Sequence, residues 1–268
     1  MARGRVLRPG VGPAVTLLRS PRHRPDDLEH WEQLEELDLV NGRRLERSGR
    51  EGKAREEVIA FARGGPCYAS VSWGKDSTVL AHLVWRAVQE GARIPLVHFR
   101  AEWWANPDCD LVRDAFLAAH PGLDYDEIVM RYDYAREVHA HRSLYLEDTF
   151  REAARRYGER HLMGLRKSES RTRGLRMMVF GTTTPKTCAP IGWWSTSEVY
   201  AYLALHDLPV HPAYACTLGG LLDRDTLRVD GLAELKGEGH GRREWERTYY
   251  GAEVQAIEAR ARREMGNA

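Results

Sequence analysis

The sequence has no long hydrophobic run and no paired cysteines. It contains no apolar stretch of about eighteen residues, the length that crosses a membrane, and its N-terminus has no apolar signal-peptide core. No CxxC motif occurs, so a disulfide framework, a zinc site and an iron–sulfur cluster are not predicted. We therefore expect a cytoplasmic protein without a membrane segment. Its isolated thiols are expected to be buried: Cys67, Cys109, Cys188 and Cys216.

The sequence also lacks a strong overall charge. Its 40 Lys and Arg against 39 Asp and Glu leave a formal net charge of +1, which does not predict a surface that binds nucleic acid as a whole. Basic residues gather near the N-terminus and in a segment around residue 170. They are Arg3, Arg5, Arg8, Arg19, Arg22 and Arg24, and then Arg166, Arg171, Arg173 and Arg176. The first group indicates a flexible basic arm over residues 1–25, for which nucleic acid remains a candidate partner.

Residues 26–64 are predicted to form a helical extension. A helix start at residues 25–27 is followed by apolar residues at helical spacing, Leu28, Trp31, Leu34 and Leu37. Asn41-Gly42 is expected to end this helix. A second helix is predicted over residues 54–63, before Gly64-Gly65-Pro66.

From residue 65 onward, short apolar runs alternate with longer amphipathic stretches. Strands are predicted at 67–72, 94–99, 128–132 and 161–165, and helices at 76–89, 109–119 and 145–157. Ser195 and Glu198 form a capping box that opens a further helix. The alternation predicts an α/β fold, a doubly wound and mostly parallel five-stranded sheet over residues 65–215. In such sheets ligands bind at the carboxyl ends of the strands, where the strand order reverses.

The first strand-to-helix turn has the composition of a phosphate site. Residues 70–78 read SVSWGKDST. Gly74 allows a tight turn, Lys75 adds a cation, and serine hydroxyls lie beside the positive end of a helix. The Walker A pattern is excluded because Ala69 replaces its first glycine and Asp76 follows the lysine. A helix start merely capped by Asp76 would not account for the remaining residues.

A second polar segment follows the strand at residue 161. Residues 164–171 read GLRKSESR. Arg166 can form forked hydrogen bonds to phosphate or sulfate, and Glu169 can orient an arginine or accept a hydrogen bond from a ribose. A surface loop of salt bridges is the alternative. The phosphate loop upstream, in the expected order, favours a site.

These segments resemble the PP-loop, or adenine nucleotide alpha hydrolase, superfamily. Residues 72–77 are similar to its SGGKDS loop, with Trp73 in place of the first glycine. Residues 164–171 resemble the GxRxxES-R segment of the 3'-phosphoadenylyl-sulfate (PAPS) reductase branch, and residues 188–195 and 208–214 resemble its P-I-x-x-W and L-P-x-x-P-x-Y segments. The resemblance implies the fold of that superfamily and an adenine-nucleotide site. Its nucleotide-binding residues would be Ser70, Ser72, Trp73, Gly74, Ser77, Thr78, Gly164, Glu169, Ser170 and Arg171.

Two chemistries occur among the proteins that the chain resembles. A PAPS reductase uses a cysteine in a C-terminal Glu-Cys-Gly-Leu-His motif, whereas no cysteine follows Cys216 here. The other chemistry cleaves ATP between the α and β phosphates and adenylylates an acceptor. We predict this ATP pyrophosphatase chemistry, with Lys75, Asp76 and Arg166 as catalytic residues and Mg²⁺ at Asp76. A PAPS or adenylyl-sulfate reductase and a non-catalytic nucleotide sensor are the alternatives.

The C-terminal extension, residues 216–268, mixes glycine, arginine and aromatic residues. It is a candidate lid, in which Arg242 or Arg243 contacts phosphate or nucleic acid, or a helix docked through Trp245. A sulfur-carrier role for Cys188 or Cys216 also remains open. The acceptor and the oligomeric state are not predicted.

Overall fold

The computed structural model describes residues 16–132, 143–233 and 241–266. The helices are α1 Pro25–Ser48, α2 Arg50–Arg63, α3 Lys75–Gln89, α4 Asp108–Ala119, α5 Leu144–Tyr157, α6 Arg171–Phe180, α7 Thr196–Leu205 and α8 Arg242–Gly266. The strands are β1 Tyr68–Val71, β2 Leu96–Ala101, β3 Tyr125–Met130, β4 His161–Met163 and β5 Thr187–Cys188. None of the helices in these ranges is long and apolar enough to span a bilayer.

The five strands form one parallel sheet in the order β3-β2-β1-β4-β5. The central strand β1 pairs with β2 on one side and with β4 on the other. Successive residues of β1 face opposite layers, because Ala69 packs in the core with α3 and α4, while Tyr68 packs with Ala153 of α5. The predicted doubly wound sheet is confirmed. Its strand order reverses between β1 and β4, which predicts a ligand site at their carboxyl ends.

The first helix is longer than its sequence predicts. The expected end at Asn41-Gly42 is wrong, since α1 continues to Ser48 and stops at Gly49, whose φ is 70°. Gly42 lies against α7. A Cβ there would come within 3.1 Å of the Ala201 carbonyl oxygen and 3.3 Å of Leu205 Cβ. This glycine therefore permits close packing of two helices instead of ending one.

Residues 16–24 of the predicted flexible arm are held on the domain. Leu17 forms a parallel bridge with Val210, and Arg22 forms ion pairs with Asp108 and Glu253. The arm is therefore not free over residues 16–24, because Arg22 already has two carboxylate partners. Residues 1–15 lie outside the described residues.

The start of α1 is fixed by residues from much later in the chain. Asp27 is fully buried. It accepts hydrogen bonds from the backbone N–H groups of Thr217 (3.1 Å) and Gly219 (2.9 Å) and from the hydroxyl of Tyr249 (2.8 Å). The N-terminal helix and the C-terminal extension are thus joined through one carboxylate.

Helix α6 has no counterpart among the predicted elements. Helical periodicity predicts a helix from an apolar face that alternates with a polar one, but Leu175, Met178, Val179 and Phe180 of α6 are all exposed. Only Gly174 and Met177 of this helix are buried. Most apolar residues of α6 therefore face solvent and not the core, so their spacing is not set by burial in the core.

Three imidazoles are packed together beside α3. His82 and His206 have ring centroids 4.9 Å apart, and His82 and His120 have centroids 5.2 Å apart. His82 Nδ1 lies 2.9 Å from the hydroxyl oxygen of Tyr202. Burial lowers the pKa of His82 to about 3 and that of His206 to about 4. These rings are neutral in the folded protein at neutral pH.

The free energy of unfolding should therefore fall as the pH drops below about 6.5, the ordinary histidine pKa. Below that pH an unfolded imidazole binds a proton that the buried ring does not, so His82 alone contributes a loss of about 1.4 kcal/mol per pH unit until the pH nears its folded pKa. Urea denaturation between pH 7 and pH 5 measures the slope. His82→Gln should flatten it, and an unchanged slope in that variant would contradict the assignment.

Candidate functional site

The turn between β1 and α3 is closed by its own side chains. Ser77 Oγ accepts a hydrogen bond from the Ser72 N–H at 3.2 Å and donates to the Gly74 carbonyl at 3.0 Å. Thr78 also donates to the Gly74 carbonyl, at 3.1 Å. The loop therefore keeps its shape through internal bonds, which leaves its remaining polar groups on a fixed frame.

Trp73 is the residue that turns the chain. Its φ is 62°, in the left-handed region that side chains other than glycine rarely adopt. Its ring is fully buried and packs against Phe116 and Tyr125, with ring centroids 5.6 and 5.8 Å away. A strained backbone of this kind persists where packing fixes it. Trp73 therefore anchors the loop to α4 and β3, and its ring does not line the cavity described below.

Gly74 is required for space and not for its backbone angle. It has an ordinary extended conformation with φ −77°, so the tight turn predicted at this glycine is at Trp73 instead. A Cβ on Gly74 would lie 3.1 Å from the Tyr214 hydroxyl and 3.4 Å from Val229 Cγ2. The Tyr214 hydroxyl accepts a hydrogen bond from the Lys75 N–H at 3.1 Å.

Replacing that hydroxyl should be costly. Tyr214→Phe leaves the buried Lys75 N–H without its acceptor, so we expect the free energy of unfolding to fall by about 1–3 kcal/mol. Urea denaturation at pH 7 measures it. Tyr157→Phe is a matched control, since its hydroxyl bonds Asp126 at a partly exposed position. An equal or larger loss in the control would contradict the role of Tyr214.

The second polar segment touches the first. Gly164 lies so close to the loop that a Cβ would come within 2.8 Å of the Asp76 carbonyl carbon and oxygen and 3.0 Å of Ser77 N. Arg166 follows, with only 2% of its surface exposed. Its Nε donates to Asp76. The turns after β1 and β4 are thus joined by backbone contact and by an ion pair.

The guanidinium of Arg166 also donates hydrogen bonds to two side-chain hydroxyls. Nη1 donates to Ser168 Oγ at 3.0 Å and to Thr196 Oγ1 at 2.9 Å. Glu169 accepts a hydrogen bond from the Arg166 N–H at 3.2 Å and pairs with Arg173. Burial, followed by the nearby charge of Asp76, raises the pKa of Glu169. Arg166 therefore connects the two motif turns to each other and to the start of α7 through its hydrogen bonds.

Lys75 is almost as enclosed as Arg166. Its side chain is 6% exposed, and Nζ lies 3.3 Å from Asp76 Oδ2 and 5.1 Å from the centroid of the Tyr214 ring. Burial by itself lowers the pKa of Lys75, but the interactions with Tyr214 and Asp76 outweigh it and leave the pKa above its ordinary value. Lys75 therefore keeps its positive charge at the start of α3.

A cavity of about 700 Å³ opens at the carboxyl ends of β1 and β4. Both motif turns face it. The residues predicted for the site that line it are Ser70, Ser72, Gly74, Lys75, Asp76, Ser77, Gly164, Arg166 and Glu169. It lies where the strand order reverses, as parallel sheets predict for a ligand site.

The opposite wall was not predicted from the sequence. It is formed by residues 225–230, and further contributions come from Ser168, Arg173, Thr196 and Tyr214. This wall is joined to the loop between β2 and α4. The Asn106 N–H donates to the Asp230 carbonyl at 3.2 Å, and just after the wall the Leu232 N–H donates to the Trp104 carbonyl at 2.9 Å. The cavity therefore extends beyond the predicted domain limit at residue 215.

Other predicted residues lie away from the cavity. Ser170 caps α6 by accepting from the Arg173 N–H at 3.2 Å, and Arg171 is exposed on that helix. Arg242 donates to Glu246 Oε1 and to the Gly231 carbonyl, both at 2.8 Å. Arg243 is exposed and does not line the cavity. The glycine-rich part of the candidate lid, residues 234–240, lies outside the described residues.

The C-terminal extension docks through Trp245. The ring is 1% exposed, and Nε1 donates to the Cys216 carbonyl at 2.7 Å. Tyr250 packs against the Trp245 ring with centroids 5.4 Å apart. The docking alternative is thus what the described part of this segment shows.

All four thiols are buried and none lines the cavity. Burial raises the pKa of each of them, for Cys188 to about 12. Cys109 comes nearest, with Sγ 3.6 Å from the Ser72 carbonyl oxygen. The thiolate form that attacks sulfur or carries it is therefore disfavoured at every cysteine.

Four carboxylates line the cavity, those of Asp76, Glu169, Asp225 and Asp230. No group of three or more metal-ligating side chains occurs in the described part of the chain. Asp76 is already paired with Lys75 and Arg166. Mg²⁺ in nucleotide enzymes commonly takes one or two carboxylates together with phosphate oxygens. These residues therefore fit an ion that enters with a nucleotide.

A parallel sheet with this phosphate loop and a basic turn across its switch point defines an α/β protein of the PP-loop class. The model of the phosphoadenosine phosphosulfate reductase domain matches residues 66–218. The chain belongs to this family, as the sequence motifs predicted.

Two solved structures are similar over most of their length. The NH3-dependent NAD synthetase from Campylobacter jejuni, in complex with the nitrate ion, has 16% sequence identity and a TM-score of 0.44, over 60% of this chain and 73% of that one. The U34-tRNA thiolase NcsA from Methanococcus maripaludis, with its [4Fe-4S] cluster, has 12% identity and a TM-score of 0.40, over 72% of this chain and 71% of that one. No curated protein matches the sequence.

Proposed function

We propose that the cavity binds ATP and that the protein cleaves it between the α and β phosphates, adenylylating an acceptor. One observation favours cleavage of ATP over reduction of PAPS. The cavity collects cations and a helix N-terminus around the loop at residues 72–77, whereas all four thiols are buried and none lines it. Phosphoryl chemistry needs positioning and charge, which these residues supply. Reduction by a thiol needs a reachable thiolate.

The loop would hold the β and γ phosphates. The N-terminus of α3 carries a positive partial charge, and Lys75 stands at its first turn with its charge maintained by Asp76. An incoming phosphate would compete with Asp76 for Lys75. In the reaction, an acceptor oxygen forms a bond to the α-phosphorus, and the oxygen that bridges the α and β phosphates leaves with pyrophosphate. Lys75 and the loop amides would stabilise the charge that develops on this leaving group.

Arg166 would act mainly by fixing geometry. Its guanidinium holds Asp76 beside Lys75 and ties the β4 turn to α7, so both motif turns present their polar groups at set positions. Arg173 and Arg228 also line the cavity and could meet the α-phosphate side of the nucleotide. Mg²⁺ bound with ATP would neutralise phosphate charge, and Asp76 would hold it directly or through water.

The test is pyrophosphate release by purified protein from ATP and Mg²⁺, with a panel of acceptors bearing carboxylate, amide or hydroxyl oxygens. Lys75→Met should lower turnover at least about 100-fold, the scale of losing one group that stabilises transition-state charge. Lys53→Met, on the exposed face of α2, is the matched control and should leave turnover unchanged.

The alternatives give different results in the same assay. Release of sulfite from PAPS with thioredoxin, and no pyrophosphate from ATP with any acceptor, would make the proposal wrong in favour of a reductase. ATP binding without turnover, in wild type and in Lys75→Met alike, would favour a nucleotide sensor.

A further inference from the structure

Helix α6 presents a continuous apolar surface to solvent. Leu175, Met178, Val179 and Phe180 are 55%, 65%, 72% and 65% exposed. Trp193 is 49% exposed and follows Gly192, which packs against Met177 on the buried face of the same helix. Single exposed apolar residues are ordinary, but a contiguous patch marks an interaction surface.

This surface is basic as well as apolar. Arg171, Arg173 and Arg176 all lie on α6, which has no acidic residue from its first position to its last. Within the described residues, Glu169 in the preceding turn pairs with Arg173. Lys167 Nζ adds a further positive charge 5.1 Å from the centroid of the Trp193 ring. A partner that covers α6 should therefore be apolar and acidic.

A groove of matching character lies elsewhere on the same chain. A cavity of about 430 Å³ separates α1 from the segment at residues 220–225. Its rim carries Leu37, 56% exposed, and Leu221, 84% exposed. Its polar lining includes three carboxylates against one guanidinium, those of Asp38, Asp223 and Asp225 against that of Arg224.

The acidic excess of the groove is not neutralised within it. Arg224 bonds Asp38 at 2.8 Å and stacks on the Tyr200 ring, with the guanidinium carbon 3.7 Å from the ring centroid. This pairing uses one carboxylate and leaves those of Asp223 and Asp225 in excess. The wall of the groove at Gly220 packs closely against α1. A Cβ on Gly220 would come within 2.9 Å of the His30 ring.

The groove and α6 border the same cavity, because Asp225 of the groove and Arg173 of α6 both line the nucleotide cavity. Arg50, the first residue of α2, donates to the Trp193 carbonyl at 3.2 Å, so the junction of α1 and α2 lies beside Trp193. Two copies related by a twofold axis could therefore each offer a helix and a groove to the other.

We propose that this chain forms a twofold dimer in which α6 of each copy lies in the groove between α1 and residues 220–225 of the other. The apolar side chains of α6 meet Leu37 and Leu221, and Arg171 and Arg176 of α6 meet the carboxylates of the groove. Arg173 and Asp225 also line the nucleotide cavity, so the interface adjoins both nucleotide sites.

The test is sedimentation velocity of the full chain over a micromolar concentration series. Val179→Ser with Phe180→Ser removes the helix side, and Leu37→Ser with Leu221→Ser removes the groove side. Each pair should raise the dimer dissociation constant at least about 100-fold, as loss of central apolar contacts does. Leu111→Ser with Val129→Ser, exposed by 45% and 44% on other elements, is the control and should leave it within about 2-fold. Circular dichroism and the Tm confirm that each variant is folded.

Mixing separates this arrangement from any other dimer. The helix variant keeps its groove and the groove variant keeps its helix, so an equimolar mixture should form mixed dimers with one intact contact, although neither variant dimerises alone. A wild-type chain that is monomeric throughout the series would overturn the proposal. So would a dimer that survives either pair of substitutions, or a mixture that stays monomeric.

Discussion

Gly164→Ala should lower turnover at least about 100-fold and weaken ATP binding while leaving the chain folded. The new Cβ would lie 2.8 Å from the carbonyl carbon and oxygen of Asp76 and 3.0 Å from Ser77 N. Both are backbone groups, which cannot swing away as a side chain can, so the phosphate loop itself must shift. A displacement of about 1 Å in a reacting geometry can cost about 100-fold in rate. We expect at least that loss in pyrophosphate release, measured beside the Kd for ATP by calorimetry.

The control for this substitution is another glycine with open space. Gly52 lies in α2, and no atom stands within 4 Å of its Cβ position. Gly52→Ala should leave ATP binding unchanged and stabilise the helix by about 0.5–1 kcal/mol. Normal turnover in Gly164→Ala would mean that the two motif turns are not rigidly coupled.

Arg166→Met should produce the second large effect, on stability as well as activity. Arg166 is 2% exposed and serves Asp76, Ser168 and Thr196 together. Removing one partner of a buried ion pair costs about 3–5 kcal/mol, and since Asp76 is partly exposed we expect a loss near the lower figure. Urea denaturation at pH 7 measures it. Arg166→Lys keeps the charge but not the planar guanidinium. Its free energy of unfolding should therefore lie between those of the wild type and Arg166→Met.

A double-mutant cycle with Asp76→Asn tests the ion pair directly. If Arg166 acts through Asp76, the double variant should be less destabilised than the sum of the single variants, with a coupling energy of about 1 kcal/mol or more. Additive losses would show that Arg166 contributes through Ser168 and Thr196 alone.

The alternating strands and helices could be predicted because their signals are local. The loop at residues 70–78 combines its residue types within one turn, and the capping box at Ser195 and Glu198 is complete in four residues, with the Glu198 N–H donating to Ser195 Oγ at 3.2 Å. The parallel direction of the strands followed from the helices between them, since parallel strands need crossover connections, but their order did not. These features need no knowledge of distant contacts.

The far wall of the cavity could not be predicted for the opposite reason. Residues 225–230 carry no periodic pattern and are placed by backbone hydrogen bonds to Trp104 and Asn106, more than a hundred residues earlier in the chain. Glycines were ambiguous in the same way. Gly42 reads as a helix stop, but only its contact with α7 shows that it serves packing.

Residue type alone also could not assign the partners of Arg166 and Trp73. An arginine after a strand can bind a phosphate or a neighbouring carboxylate equally well. In the structure Arg166 donates to the carboxylate of Asp76. Trp73 stood out in the sequence only as a departure from glycine. Its left-handed φ of 62° and its place behind the loop depend on the aromatic rings of Phe116 and Tyr125, which no local pattern places there.

The bonds that hold Asp27 have a consequence for the order in which the chain acquires its structure. The hydroxyl of Tyr249 is separated from Asp27 by 222 positions, and at about 5–20 residues per second a ribosome needs roughly 10–45 s to synthesise that interval. During most of this time the buried carboxylate of Asp27 lacks the N–H groups of Thr217 and Gly219, and throughout it lacks the Tyr249 hydroxyl. The start of α1 therefore cannot complete its buried hydrogen bonds until the C-terminal extension has been synthesised.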